Sequence, residues 1–180
     1  MNASLVHLPH VPPLPAASLR YTPLAPLSLA LSLFSKRIAR RNPGLFRRLG
    51  AYTHARFVLD PTDLPVNLLL EPNGGDPRVH LARGAQRGNA RIAGPLAALL
   101  GLVHGTYDGD ALFFSRDLIV EGDTAAVLAL RNAIDNAELD LSAEAQAMSG
   151  PYARQVKWMI DAAETHTGLP LSRHTEENLW

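Results

Sequence analysis

Apolar residues recur at helical spacing at Leu27, Leu31, Phe34 and Ile38, which predicts a helix beginning after Pro26 with Ser28 as its cap. Asn42-Pro43-Gly44 ends it, and Leu45, Phe46 and Leu49 mark a second, short helix. The hydrophobic period then changes to two. Residues 56–59 read as a strand, Asp60-Pro61-Thr62-Asp63 as a turn, and 66–71 as a second strand with Val66, Leu68 and Leu70 on one face. Pro72-Asn73-Gly74-Gly75-Asp76 is a hairpin turn, since Asn-Gly accepts positive φ. It leads into a third strand, 78–83, where Val79 and Leu81 alternate with His80 and Ala82. A fourth strand begins over 89–93. Gly94-Pro95 opens a helix whose Leu96, Leu99, Leu100 and Val103 fall at i, i+3, i+4 and i+7. A long strand over 111–121 and a helix over 123–135, capped by Asp123 or Thr124, follow. After Leu141 an Ala/Glu segment breaks at Ser149-Gly150-Pro151, and a last helix over 152–166 carries Val156, Met159 and Ile160 on one face. The Pro-rich residues 1–23 read as a disordered or extended arm, and 167–180 as a polar tail.

This order predicts an α+β fold: a five-stranded, mainly antiparallel sheet with helices packed on one face. Three segments are expected: 1–50, a Pro-rich arm and basic amphipathic extension; 51–141, the sheet-containing domain; and 142–180, a helical extension and tail. A composition 47% apolar and 19% charged suits a folded globule. The chain has no cysteine, which excludes disulfides, thiolate metal sites and a cysteine nucleophile. No apolar run is long enough to span a membrane, and no basic segment precedes an apolar stretch at the N-terminus. The expectation is a cytoplasmic chain without a signal peptide.

Charge changes the picture more. The formal net charge is zero, yet residues 1–59 carry eight Lys/Arg and no acid, against nine Lys/Arg and seventeen acids in 60–180. A basic end on a neutral chain points to an anionic partner. Lys36, Arg37, Arg40, Arg41, Arg47 and Arg48 lie among leucines, Phe34 and Phe46, the makeup of an interfacial helix on an anionic membrane surface. The same cluster also fits a helix packed on the sheet with a solvated basic rim. Nucleic acid is not expected as a partner, because no recognition motif surrounds the cluster and the remainder is acidic.

Candidate chemistry is thin. His7-x-x-His10 lacks a nearby carboxylate, and no metal set is expected. Asp108, Asp110, Asp117, Glu121 and Asp123 cluster around turns, where capping explains them more simply than acid–base work. Gly74-Gly75 lacks the lysine and helix start of a phosphate loop, and no serine sits in a nucleophile elbow.

Residues 113–123, Phe-Phe-Ser-Arg-Asp-Leu-Ile-Val-Glu-Gly-Asp, carry the strongest motif. An aromatic pair, a bend, alternating apolar residues and Gly-Asp precede an Ala/Leu helix. Upstream, 90–109 supplies a short strand, a leucine-rich helix and a Gly/Asp turn. This order resembles the sterol carrier protein type-two family of lipid carriers over roughly residues 50–140; Arg116 stands where many members have glycine. It is closer still to a bacterial subgroup that serves as accessory factor in oxygen-independent ubiquinone biosynthesis. The resemblance implies a non-catalytic carrier, without cofactor, that holds polyprenyl quinone precursors or phospholipids in an apolar cavity. Such a carrier would be peripherally membrane-associated and would present its lipid to ubiquinone-pathway hydroxylases. Candidate lining residues are Phe57, Leu68, Leu70, Val79, Leu81, Ile92, Leu96, Leu99, Leu100, Val103, Phe114 and Leu118; the same residues also suit a plain core. Two other functions fit the chain: a small hydrolase or isomerase using His80 or His104 with a nearby Asp, and a protein-interaction module without lipid.

Overall fold

The computed structural model describes residues 9–12, 17–104, 117–137, 139–169 and 171. Among them, α1 (Leu24–Arg41) and α2 (Pro43–Leu49) precede a hairpin-rich sheet. Strands β1 (Phe57–Pro61), β2 (Asn67–Glu71), β3 (Arg78–Ala82) and β4 (Ala90–Gly94) lead into α3 (Leu96–His104). Then come β5 (Ile119–Gly122), α4 (Thr124–Ala137), α5 (Leu141–Met148) and α6 (Ala153–Thr167). The sheet has five strands in the order β3-β2-β1-β4-β5. β1–β2, β2–β3 and β4–β5 are antiparallel, and β1–β4 is parallel. The expected α+β architecture is therefore present.

The β2–β3 hairpin follows directly from sequence. Leu68 and Leu70 stand opposite Leu81 and Val79, so one face of the pair is apolar throughout. Asn73 supplies the positive φ its turn needs, +46°. β4 does not pair with β3; the chain returns across the sheet and β4 lies beside β1. The connection runs over the outer face, held by Asn67: its Nδ2 donates to the Gly84 carbonyl at 2.6 Å, and its Oδ1 accepts from Gln86 at 2.5 Å. That cover lets Val58 and Leu69 be buried on the face away from the helices. Val66 belongs with that outer face too, lining a hollow with Val58, Asp60 and Arg91 rather than sharing a face with Leu68 and Leu70.

Several helix boundaries depart from expectation. α1 begins at Leu24 with Pro23 at its N-cap, so Ser28 lies inside the helix. Ser28 and Ser32 face the edge of β3 instead. Ser28 Oγ accepts from Leu81 N–H at 2.9 Å. Ser32 Oγ accepts from Val79 N–H at 2.9 Å and donates to the Val79 carbonyl at 3.0 Å. In an antiparallel pair alternate residues turn their N–H and C=O outward, so one turn of helix satisfies two successive outward positions. Arg83 adds a clamp by donating to the carbonyls of Leu19 and Thr22. Ser32→Ala should therefore cost about 1–2 kcal/mol, since Val79 loses partners for both its backbone groups. A denaturant midpoint equal to wild type would show that water replaces them.

α3 begins at Leu96, one residue beyond Pro95, and its first turn is capped from a distance: the Asp63 carboxylate accepts from Leu96 N–H at 2.9 Å. Its other oxygen accepts from Val11 N–H at 3.0 Å, which ties one residue of the Pro-rich arm, read as disordered or extended, to the domain. Asp123 caps α4 as expected, accepting from Ala126 N–H at 3.0 Å. Of the long strand over 111–121, residues 111–116 lie outside the described residues; 117–118 form a bend and the strand runs over Ile119–Gly122. On α6 the expected apolar face is split, with Val156 and Ile160 half-buried and Met159 exposed beside an exposed Trp158. Of the polar tail expected over 167–180, Thr167 ends α6 and Leu169 is buried.

Candidate functional site

Strand alternation turns Leu59 of β1, Leu68 and Leu70 of β2, Val79 of β3 and Ile92 of β4 toward the helical layer. Opposite them stand Leu31, Phe34 and Ile38 of α1, Leu45, Phe46 and Leu49 of α2, Leu99, Leu102 and Val103 of α3, and Val127, Leu130 and Ile134 of α4. Between the two walls lies an apolar cavity of about 260 Å3. Ser35 and Arg131 are the polar side chains among its described lining residues.

Six of the expected lining residues meet there: Leu68, Leu70, Val79, Ile92, Leu99 and Val103. Phe57, 0% exposed, and Leu118 sit in the adjoining core with Ala90, Ala98 and Ala126. Leu81, Leu96 and Leu100 are half-buried and do not line the cavity. Phe114 lies outside the described residues. The leucine spacing misplaced the face of α3 because the helix is apolar on nearly every side. Ala97, Ala98 and Gly101 are buried there, and such small residues allow close packing that a pattern of leucines hides. Leu31, Phe34 and Ile38 of α1 carry a clear helical period, but their basic neighbours suit an interfacial helix as well as one packed on the sheet, so spacing alone does not place them in the cavity wall.

The basic cluster divides into two groups. Lys36 pairs with Asp76 at 2.7 Å, and that ammonium, hydrogen-bonded to the carboxylate, holds the Asp76 pKa below its usual range. Arg41 makes two bonds to Glu144, at 2.9 and 3.1 Å. Arg37 lies 3.5 Å from the same carboxylate and donates to the Ala147 carbonyl at 3.2 Å. These three cations fasten α1 to the β2–β3 turn and to α5. Arg40, Arg47 and Arg48 are exposed, and Leu29 and Leu33 are exposed on α1 as well.

The two histidines of the hydrolase alternative lie elsewhere. His80 is on the outer, solvent side of edge strand β3, 3.7 Å from Glu71. His104 is 2% exposed at the end of α3, and its Nε2 accepts from Leu141 N–H at 3.3 Å. Neither lines the cavity. Among the described residues no group of three or more His, Asp or Glu could hold a metal ion, and no helix is long and apolar enough to cross a membrane.

Comparison with known proteins follows the same geometry. Among solved structures, a UbiJ-SCP2 ubiquinone synthesis protein is similar at 20% identity, with 66% of this chain and 98% of that one covered and a TM-score of 0.53. Sterol carrier protein 2 from Yarrowia lipolytica, in its apo form, is similar at 16% identity over 62% of this chain and 92% of that one, with a TM-score of 0.44. No curated protein sequence matches the chain. The profile of the SCP-2 sterol transfer family matches residues 35–135, from the middle of α1 to the end of α4. That span holds most of the sheet and helix surfaces around the cavity, and the chain belongs to the SCP-2 sterol transfer family.

Proposed function

We propose that this chain is a lipid carrier without catalytic turnover, an accessory factor that holds a polyprenyl quinone precursor or a phospholipid for oxygen-independent ubiquinone biosynthesis. The observation that carries the reading is the apolar cavity between the sheet and four helices, in a chain of this family. The similar UbiJ-SCP2 protein, a ubiquinone synthesis protein by its name, supports the pathway. The physical need is plain. At ~0.8 kcal/mol per methylene, a polyprenyl tail left in water costs tens of kcal/mol. A cavity that takes the tail leaves the head for the active site of a partner hydroxylase. At about 260 Å3 the space is below the ~300–1,000 Å3 typical of small-molecule pockets, so a long tail requires a wall to move outward. Besides its apolar packing, α1 is held by hydrogen bonds at Ser28 and Ser32 and by ion pairs from Lys36, Arg37 and Arg41. These can open and re-form, and in this reading α1 is the wall that moves.

Mass spectrometry of lipids extracted from the purified protein should return such a precursor or a phospholipid. A protein that carries none and takes none from vesicles overturns the reading. A strain lacking the gene should accumulate unhydroxylated precursor when grown without oxygen. In this reading the exposed Arg40, Arg47 and Arg48 face an anionic membrane. Replacing all three with glutamine should weaken binding to anionic vesicles about tenfold: each cation contributes up to ~1 kcal/mol, reduced by screening at physiological salt. Equal binding of the native protein to neutral and anionic vesicles would remove the electrostatic part.

A further inference from the structure

We propose that Arg131 sets the headgroup preference of the cavity, favouring lipids that carry a carboxylate or phosphate over neutral lipids with the same tail. This rests on the lipid-binding reading above. Arg131 shares one face of α4 with Val127, Leu130 and Ile134, so it belongs to the cavity wall. It is the one charged side chain among the described lining residues. Its side chain is 26% exposed, so the residue that lines the apolar wall also reaches water, as long cationic side chains do.

An apolar cavity grips a tail but does not orient it; the few polar groups in its wall do that. A carboxylate beside this guanidinium gains a charge-assisted, bidentate pair in surroundings less polarisable than bulk water. A hydroxyl at the same place gains an ordinary neutral contact. Asp135, one turn further along α4, lies 3.5 Å from Arg131 Nε and is the more exposed of the two. It steadies the guanidinium and competes with an incoming anion. With the head at Arg131 the tail points inward, and the head stays within reach of a second protein.

Competition binding of the full chain with palmitate and hexadecanol, which share a tail, tests this. Wild type should bind palmitate about tenfold more tightly, the equal of about 1.4 kcal/mol. Arg131→Gln should bring palmitate down to the affinity of hexadecanol, leaving hexadecanol unchanged. Arg131→Lys should keep part of the preference, and Asp135→Asn should strengthen palmitate alone. Equal affinities in wild type overturn the inference without requiring any variant to fold. So does a preference that survives Arg131→Gln. Palmitate should stay bound in millimolar inorganic phosphate; its displacement would mark a site for free anions and overturn the role for a headgroup. Failure of both lipids to bind is a separate result that removes the lipid-binding reading and this inference with it.

Discussion

Leu99→Trp should lose nearly all lipid uptake while remaining folded. Leu99 is buried on α3 and lines the cavity together with Ile92 and Leu130. An indole there occupies space that a tail would take. Overfilling a well-packed core costs about 1–3 kcal/mol, but beside an existing cavity the cost falls at the low end. Excluding some four methylenes forfeits about 3 kcal/mol of transfer energy, roughly a hundredfold in affinity. Leu100→Trp is the matched control: Leu100 is half-buried and does not line the cavity, so uptake should persist. Titration of a fluorescent fatty acid, with thermal melts for both variants, measures each effect. Undiminished uptake by folded Leu99→Trp would show that lipid binds elsewhere.

Gly122→Ala should be the most damaging small substitution for stability. Gly122 ends β5 with φ +85°, and a Cβ there would lie 2.4 Å from the Asn89 carbonyl oxygen. Asn89 is a junction. Its carbonyl accepts from Asp123 N–H at 2.9 Å, its backbone N–H donates to the Arg56 carbonyl at 2.8 Å, and its side chain accepts from Arg56 N–H at 2.8 Å. The clash therefore strikes backbone that joins β1, β4 and the start of α4. A left-handed alanine costs about 1–2 kcal/mol, and the steric displacement adds about 1–3 kcal/mol. A total near 3 kcal/mol lowers the melting temperature by roughly 6–12 °C for a chain of this size. Gly84→Ala separates the two causes, since Gly84 has φ +90°, close to that of Gly122, and no atom within 4 Å of an added Cβ. It should show the conformational cost alone. Equal losses for the two variants would dismiss the steric argument.

Much of the sheet was legible because its signals are local. Val79 and Leu81 alternate with His80, Asn73 follows Pro72, and Asp123 precedes an alanine-rich helix; each is settled within a few residues. The rest depended on distant partners. Arg37 and Arg41 fit a membrane-facing helix and a helix packed on the sheet equally well by sequence, because their anion, Glu144, lies 103 residues beyond Arg41. Asp63 read as a turn residue, although it caps a helix 33 residues later. The parallel pairing of β1 with β4 leaves no mark in either strand. On α3, leucines surround the axis, so spacing alone could not choose Leu102 over Leu96 or Leu100. The cavity followed the same division: strand period found its floor, whereas the share of α1 and α4 in its roof required the packed chain.

The two serines on α1 give one helix two duties. Leu31, Phe34 and Ile38 wall the cavity, while Ser28 and Ser32 occupy the outward backbone groups of β3. An outward swing of α1 that makes room for a tail also bares the N–H and C=O of Val79 and the N–H of Leu81. A bare sheet edge is a template for another strand, and a flat one invites aggregation. For a carrier of the kind proposed, capacity for cargo and colloidal safety would be traded against each other at a single seam. The wider α1 opened, the more the sheet could recruit a neighbouring chain, so an open form would be tolerable only briefly or against another surface.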